Sequence, residues 1–331
     1  MRSHFAHEIN FMGHRFQLLT FSGILIVLSI VGLIVRGLVF GIEFRGGTEI
    51  DFQNTGDISI AQMRSALEAT GEQNLTIQTA VTEGEKGFLV RSDATNPTDA
   101  TAHAAAAAKS LKLPESSYTV TTIGPDWGAD TVRSSSIAFL VSLVAIIAFV
   151  SIRYEFKMSI TAVASLVHDL VIILGVYAWT QTPITPNVVA ALLTVMGYSL
   201  YDTVVEFNRI NENAKRAGDS THRTYFQIAN YSINEVIVRT INTTITTIVP
   251  IIVMYAIGGT TLRDFAFAML IGELLGTYSS FAIASPLLSI WKTHEPKWHK
   301  LEERYGGAGA AVRIVQQNER GAAHSFAKRG Q

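Results

Sequence analysis

The sequence predicts a polytopic α-helical membrane protein with six transmembrane helices and one small α+β domain outside the membrane. Charged residues make up 16% of the 331 residues and hydrophobic residues 48%. Soluble proteins average about 25% charged residues, so the apolar residues must be concentrated in segments. Six apolar stretches are long enough to cross about 30 Å of hydrocarbon, which takes about 20 helical residues. A long polar segment separates the first stretch from the second.

The charge balance and the lack of cysteine exclude several classes of protein. Lys and Arg number 26 against 27 Asp and Glu, which argues against the broad basic face of a nucleic-acid-binding protein. The absence of cysteine excludes disulfide scaffolds, cysteine nucleophiles, thiolate zinc sites and iron–sulfur clusters. The sequence also lacks H-E-x-x-H, G-x-S-x-G and a Walker loop. We therefore expect that the protein is not an enzyme and that it binds no cofactor, metal ion or nucleic acid.

Each apolar stretch is predicted to be a transmembrane helix. In chain order the predicted spans are 17–40, 134–152, 159–180, 186–207, 236–257 and 265–290. The short connections on one side of the membrane carry many basic residues, among them Arg153, Lys157, Lys215 and Arg216. Because short cytoplasmic loops are enriched in Lys and Arg, both termini are predicted to be cytoplasmic.

Three segments are thereby assigned to the cytoplasm: the N-terminus 1–16, the loop 208–235 and the tail 291–331. The loop is predicted to be helical and to lie in the membrane interface. Its apolar residues are Tyr225, Phe226, Ile228, Ala229 and Ile233, continued by Val236. The tail is rich in Gly and Ala and polar from Gly306, and is predicted to be disordered.

The segment 41–133 is predicted to be a ferredoxin-like domain on the outer side. Serine caps and Gly or Pro stops separate its helices from its strands. The predicted elements are strand 48–52, helix 59–70, strand 75–82, strand 87–91, helix 98–111 and strand 118–123. This β-α-β-β-α-β order is the split βαβ arrangement. The segment contains one histidine, His103, and no Gly-rich phosphate loop, so it is not expected to be catalytic.

Ionisable residues inside the predicted spans carry the functional signal. Inserting a charged side chain at the centre of a bilayer costs roughly 2.5–3.5 kcal/mol. The spans and their edges nevertheless contain His168, Asp169, Asp202, Glu206, Arg239 and Glu273. Burial favours the protonated form of a carboxylate and a nearby cation favours the ionised form. An acid whose cationic partner moves can therefore bind and release a proton, so this set predicts a proton pathway.

A structural interpretation is open for several of these residues. His168 and Asp169 could be hydrogen-bonded packing groups. Glu206 and Arg239 lie near the cytoplasmic boundary and could anchor the helix ends. The Ser/Thr-rich run that follows Arg239 could pack helices together or line a wet path, and both interpretations are open for Glu273. Asp202 lies about one and a half turns inside the span, which is too deep for an anchor.

Several short sequence motifs follow one another along the chain. Gly-Ile-Glu-Phe-Arg-Gly-Gly at 41–47 ends on Gly46 and Gly47, and a Gly124-Pro125 step precedes the second span. His-Asp follows at 168–169. The longest motif, at 196–213, contains Gly197, Asp202 and Thr203. Shorter motifs follow as Ser-Ile-Asn at 232–234, Arg-Thr-Ile-Asn-Thr at 239–243 and Gly-Thr-Tyr-Ser-Ser at 276–280.

Together these motifs resemble those of the SecD/SecF family of bacterial protein-export proteins, and 196–213 is similar to the family's SecF-type signature. The resemblance implies six spans, a ferredoxin-like outer domain and location in the bacterial inner membrane. It implies a SecD partner, the SecYEG channel and the SecA ATPase, with YajC and YidC as further partners. The family uses the proton gradient to promote translocation of preproteins and their release on the outer side.

The resemblance places the family's proton-path aspartate and arginine on Asp202 and Arg239. Glu206 and Glu273 stand where the family pattern has apolar residues, so the layout of the pathway differs in this chain. Two alternatives are open: half of a proton-coupled exporter of the RND type for small molecules or lipids, and a purely structural subunit. One half with a single small domain disfavours the exporter, because such exporters carry both halves and large porter domains in one chain.

Overall fold

The computed structural model describes residues 9–82, 85–217 and 222–306. The helices are α1 (Arg15–Val35), α2 (Ile42–Arg45), α3 (Ile60–Glu68), α4 (Pro97–Ser110), α5 (Pro125–Arg153), α6 (Phe156–Thr180), α7 (Pro186–Ala217), α8 (Tyr225–Ile257), α9 (Thr260–Ser279), α10 (Ser285–Thr293) and α11 (Pro296–Tyr305). The strands are β1 (Gly47–Phe52), β2 (Thr76–Thr82), β3 (Glu85–Ser92) and β4 (Tyr118–Ile123).

The membrane part consists of α1, α5, α6, α7, α8 and a sixth span formed by α9 and α10. Within the described residues, six helical segments are long and apolar enough to cross a membrane, as the sequence predicts. A π-helical turn, Ser280–Ala284, joins α9 to α10. Helices α6, α7 and α9 form the interior of the bundle, whereas α1 and α5 are largely exposed along their lengths.

The outer domain has the predicted ferredoxin-like topology. Its four strands form an antiparallel sheet in the order β2-β3-β1-β4. Helices α3 and α4 cover one face of the sheet, and their side chains share a core with Ile50, Phe52 and Val90. Ser59 and Gln62 form a capping box at the start of α3, which satisfies backbone N–H groups that the helix leaves unpaired. Residues 83–84, between β2 and β3, lie outside the described residues.

The two glycines of the first motif join the outer domain to the membrane part. Gly46 and Gly47 have φ of 76° and 122°, values that residues with a Cβ rarely adopt. A Cβ on Gly46 would lie 3.2 Å from the backbone of Pro125, and one on Gly47 would lie 2.5 Å from Ser92 O. Pro125 is the first residue of α5, where its missing N–H costs no hydrogen bond, and Gly124 is the N-cap. Helix α5 thus begins nine residues before the predicted span.

The segment predicted as a cytoplasmic loop consists largely of helix ends, because α7 continues to Ala217 and α8 begins at Tyr225. The prediction that its apolar face lies in the membrane interface is wrong. Tyr225, Ile228 and Ile233 are buried in a protein core. The N-terminal segment covers this face, since Asn234 Oδ1 accepts from Ile9 N at 2.9 Å and Asn234 Nδ2 donates to Ile9 O at 2.8 Å.

The predicted disorder of the tail is also wrong for residues 296–305, which form α11. Trp298 is buried, and its ring meets that of Tyr225 edge-on with 5.1 Å between centroids. An aromatic pair of this geometry stabilises a contact by about 0.5–1.5 kcal/mol beyond the apolar area it buries. Residues 307–331, which the prediction also covered, lie outside the described residues.

Candidate functional site

His168 and Asp169 lie in the interior of the bundle on α6. Both are buried, and Asp169 is 1% exposed. His168 Nδ1 lies 3.0 Å from Asp169 Oδ1. Asp169 Oδ2 accepts hydrogen bonds from Ser199 Oγ on α7 at 2.6 Å and from Ser279 Oγ on α9 at 2.8 Å. Asp169 therefore joins three helices through polar contacts that lipid cannot supply.

Asp202 occupies a different position, at the edge of the buried face of α7. Its side chain is partly buried and has no hydrogen-bond partner among the described residues. Asp202 and Arg239 do not form an ion pair, and Arg239 Nη2 donates instead to the Tyr201 hydroxyl at 3.0 Å. Arg239 and Glu273 nevertheless act electrostatically on Asp202. Asp202 thus has a cation and a second acid nearby while its oxygens remain available to other donors.

Glu273 lies on α9, between that helix and α8. It is 5% exposed, and Thr247 Oγ1 donates to Glu273 Oε1 at 2.7 Å. One helical turn away, the hydroxyls of Thr244 and Thr277 lie 2.7 Å apart. The threonine run of the fifth span therefore does pack helices together, and one of its hydroxyls also partners a buried acid.

Glu206 faces the interior of the bundle, one turn from Asp202. It is 4% exposed and accepts a short hydrogen bond from Ser285 Oγ. Thr203, one turn earlier on α7, has its hydroxyl 3.3 Å from Ser280 Oγ. The interpretation of Glu206 as a helix-end anchor is wrong, because an anchor extends its charge towards water and this carboxylate is enclosed by protein.

Close contact between α7 and α9 brings these groups together. Gly272 and Gly276 are four residues apart on α9, and a Cβ on Gly272 would lie 2.3 Å from Val195 Cγ2. A Cβ on Gly276 would lie 2.8 Å from Ser199 Cβ. Small residues at this spacing let two membrane helices approach closely. Gly197 of the long motif has a different environment, since it is exposed and a Cβ there would meet no atom within 4 Å.

The six predicted pathway residues thus fall into two groups. Asp202, Arg239 and Glu273 lie between α7, α8 and α9. We call them the outer group, a name that does not refer to the outer side of the membrane. His168, Asp169 and Glu206 belong to an interior group between α6, α7 and the sixth span. The partners Ser199, Ser279 and Ser285 were not singled out from the sequence. Ser199 and Ser279 lie within the quoted motifs. Ser285 follows the π-turn, and regular α-helical spacing would predict that its side chain lies on a different face of the helix.

Comparisons with known proteins show which proteins the chain resembles in sequence. A family profile described as protein export membrane protein SecD/SecF, C-terminal, matches residues 103–294. The profile of the SecD/SecF GG motif matches residues 31–53. The protein translocase subunit SecF of Desulfurispirillum indicum is 35% identical over 317 residues, which are 92% of this chain and 98% of that protein. The same subunit of Thermodesulfovibrio yellowstonii is 35% identical over 286 residues, 85% of this chain and 94% of that protein.

Solved structures show the same fold. The crystal structure of SecDF, a translocon-associated membrane protein from Thermus thermophilus, matches with a TM-score of 0.78 and 30% identity. The match covers 87% of this chain and 39% of the SecDF chain, so this chain spans about two fifths of that protein. A crystal structure of SecDF in a super-membrane-facing form matches with a TM-score of 0.63 and 29% identity. The chain therefore belongs to the SecD/SecF family of protein export membrane proteins.

Proposed function

We propose that this chain is an accessory subunit of the Sec protein-export translocase, working with a SecD-type partner in the bacterial inner membrane. The match to almost the full length of a SecF translocase subunit carries this proposal. The comparison with SecDF supports the partner. This chain matches 39% of the SecDF chain, and a separate SecD-type protein would correspond to the rest. We extend the proposal to the SecYEG channel, SecA, YajC, YidC and translocating preproteins as further partners.

The outer group gives this subunit a means of using the proton gradient. Asp202 has no hydrogen-bond donor among the residues that the structure describes, and the guanidinium of Arg239 donates to the hydroxyl of the neighbouring Tyr201. A proton on Asp202 would remove its attraction for Arg239, and loss of that proton would restore it. Such a charge change can bias two arrangements of neighbouring helices. A membrane potential supplies about 2.3 kcal/mol per charge per 100 mV for the cycle.

Co-purification tests the proposed partnership. The full chain carrying an affinity tag is expected to retain a SecD-type protein in stoichiometric amounts after mild detergent extraction of its native membrane. The measurement is mass spectrometry of the eluate, with an untagged strain as control. Recovery of the chain with periplasmic exporter components and without a SecD-type protein would favour a small-molecule or lipid exporter instead.

Single-cysteine labelling tests the proposed topology, in which both termini are cytoplasmic and the outer domain is on the opposite side. The natural chain contains no cysteine, so each variant has one reactive site. Lys86 and Lys215 are exposed, in the outer domain and at the end of α7. An impermeant maleimide is expected to label Lys86→Cys in intact right-side-out vesicles and Lys215→Cys only after permeabilisation. Labelling of both from the same side would contradict the six-span arrangement.

A further inference from the structure

A line of buried polar side chains runs along the interior face of α7 and is not used by the outer group. Ser199, Thr203 and Glu206 lie on this face at intervals of four and three residues, and each is at most 4% exposed. The sixth span faces them with three serines, each at most 1% exposed: Ser279, Ser280 and Ser285. We refer to the five hydroxyls Ser199, Thr203, Ser279, Ser280 and Ser285 as the hydroxyl line.

The π-turn places the sixth-span serines on one side. An α-helix turns about 100° per residue, so residues five apart point about 140° away from each other. In the π-turn the Ser285 N–H donates to Ser280 O, which is an i to i+5 bond. The wider turn therefore brings Ser280 and Ser285 towards the same face, where they reach Thr203 and Glu206 respectively. Such π-turns occur frequently at functional sites.

The two acids at the ends of the hydroxyl line are stabilised unequally. Asp169 has the two serine donors and His168 Nδ1 around its oxygens. Glu206 has one donor, Ser285, among the described residues. Donors to a carboxylate favour its ionised form, whereas an ionised group buried without a cation is costly. Glu206 therefore has fewer hydrogen-bond donors than Asp169 among the described residues.

Among the described residues, no cation forms an ion pair with Glu206. Several ionisable side chains on α7 and the neighbouring helices bond to other residues instead. Asp202, on the same helix, is an acid, and Arg209 pairs with Glu235 and Glu212. Further examples are His168 and Asp169 on α6, Arg239 on α8 with Tyr201, Glu273 on α9 with Thr247, and Lys292 on α10 with Glu155 and Glu295.

We propose that Glu206 is a second proton-binding site, enclosed between the interior face of α7 and Ser285 of the sixth span and separate from Asp202. This inference rests on the proposed proton-coupled function and adds a site to it. Protonation makes the Glu206 side chain neutral, and loss of the proton leaves a buried carboxylate whose donor among the described residues is Ser285 Oγ.

Infrared titration of the purified full chain in lipid nanodiscs tests this proposal without any export assay. The absorption of a protonated carboxyl group is followed while the pH is raised. Glu206→Gln is expected to lose one titrating carboxyl band that Asp202→Asn retains. Ser285→Ala is expected to keep that band and shift its frequency, because the hydrogen bond to the carboxyl group is lost. Glu206→Val, which restores the apolar residue of the family pattern, provides a second loss variant that avoids an added polar group.

Three outcomes would overturn the proposal: no band that depends on Glu206, a band that Asp202→Asn also removes, or an unshifted band in Ser285→Ala. In each case circular dichroism of the variants must match that of the wild type, so that loss of folding is not mistaken for loss of the site. Failure of gradient-stimulated export in Asp202→Asn is a separate measurement. The proposed function and the Glu206 site can therefore fail independently.

Discussion

Replacement of Asp202 with asparagine is expected to abolish the stimulation of preprotein export by a proton gradient while leaving ATP-driven export intact. Asparagine keeps the size of the side chain and resembles the protonated acid, but it cannot release a proton. The attraction to Arg239, which acts on Asp202 in this structure, would be lost permanently. The measurement is export of a preprotein in membrane vesicles that contain the variant and its SecD-type partner, with and without a gradient.

Two further variants make this prediction specific. Asp202→Glu still titrates and is expected to retain part of the stimulation. Tyr201→Phe removes the hydroxyl to which Arg239 donates but keeps both charges, so stimulation should persist, with a changed dependence on pH. If Asp202→Asn shows full stimulation, Asp202 is a packing residue, and the purely structural alternative or a pathway through the interior group becomes the better explanation.

The sequence was sufficient to predict the spans and the order of elements in the outer domain. Both depend on strong local signals: long apolar runs for the helices, and alternation with clear stops for the strands. Ser59 was predicted as a helix cap and forms the capping box that such a residue favours. Gly46 and Gly47 were recognised as a motif, but only the structure shows that they contact Pro125 and Ser92.

The sequence was insufficient where the outcome depends on tertiary partners. The apolar face of Tyr225, Ile228 and Ile233 would suit a membrane interface equally well. Its true partner includes an N-terminal segment more than 200 residues away, held by Asn234. Arg239 and Asp202 carry opposite charges, which attract in an apolar medium, yet Arg239 donates its hydrogen bond to the neutral hydroxyl of Tyr201. In both cases several contacts are possible, and the local sequence pattern does not determine which of them forms.

The π-turn shows a third kind of limit. Regular α-helical spacing would direct Ser285 away from the face that holds Ser280, so periodicity gave no reason to connect it with Glu206. The i to i+5 bond at Ser285 changes that register. No residue in the turn is an unmistakable signal for it, although Pro286 lacks a backbone N–H and so weakens the regular hydrogen-bond pattern there.

The second large effect is expected at Gly272, where replacement with alanine should destabilise the helix bundle by about 1–3 kcal/mol, the usual range for overpacking. The added Cβ would lie 2.3 Å from Val195 Cγ2. Val195 is buried, and its branched side chain has little rotamer freedom. Helices α7 and α9 must therefore separate. The measurement is the midpoint of denaturant-induced unfolding of the purified full chain, followed by circular dichroism.

Gly197→Ala is the matched control, because Gly197 lies on α7 with no atom within 4 Å of the added Cβ. Alanine favours a helix over glycine by about 0.8–1.0 kcal/mol, so this variant should be as stable as the wild type or slightly more stable. Gly276→Ala should resemble Gly272→Ala and, by pushing on Ser199, should also weaken the hydrogen bond from Ser199 to Asp169. Equal unfolding midpoints for Gly272→Ala and Gly197→Ala would contradict the close α7–α9 contact, and with it the geometry that brings Ser199 and Ser279 together on Asp169.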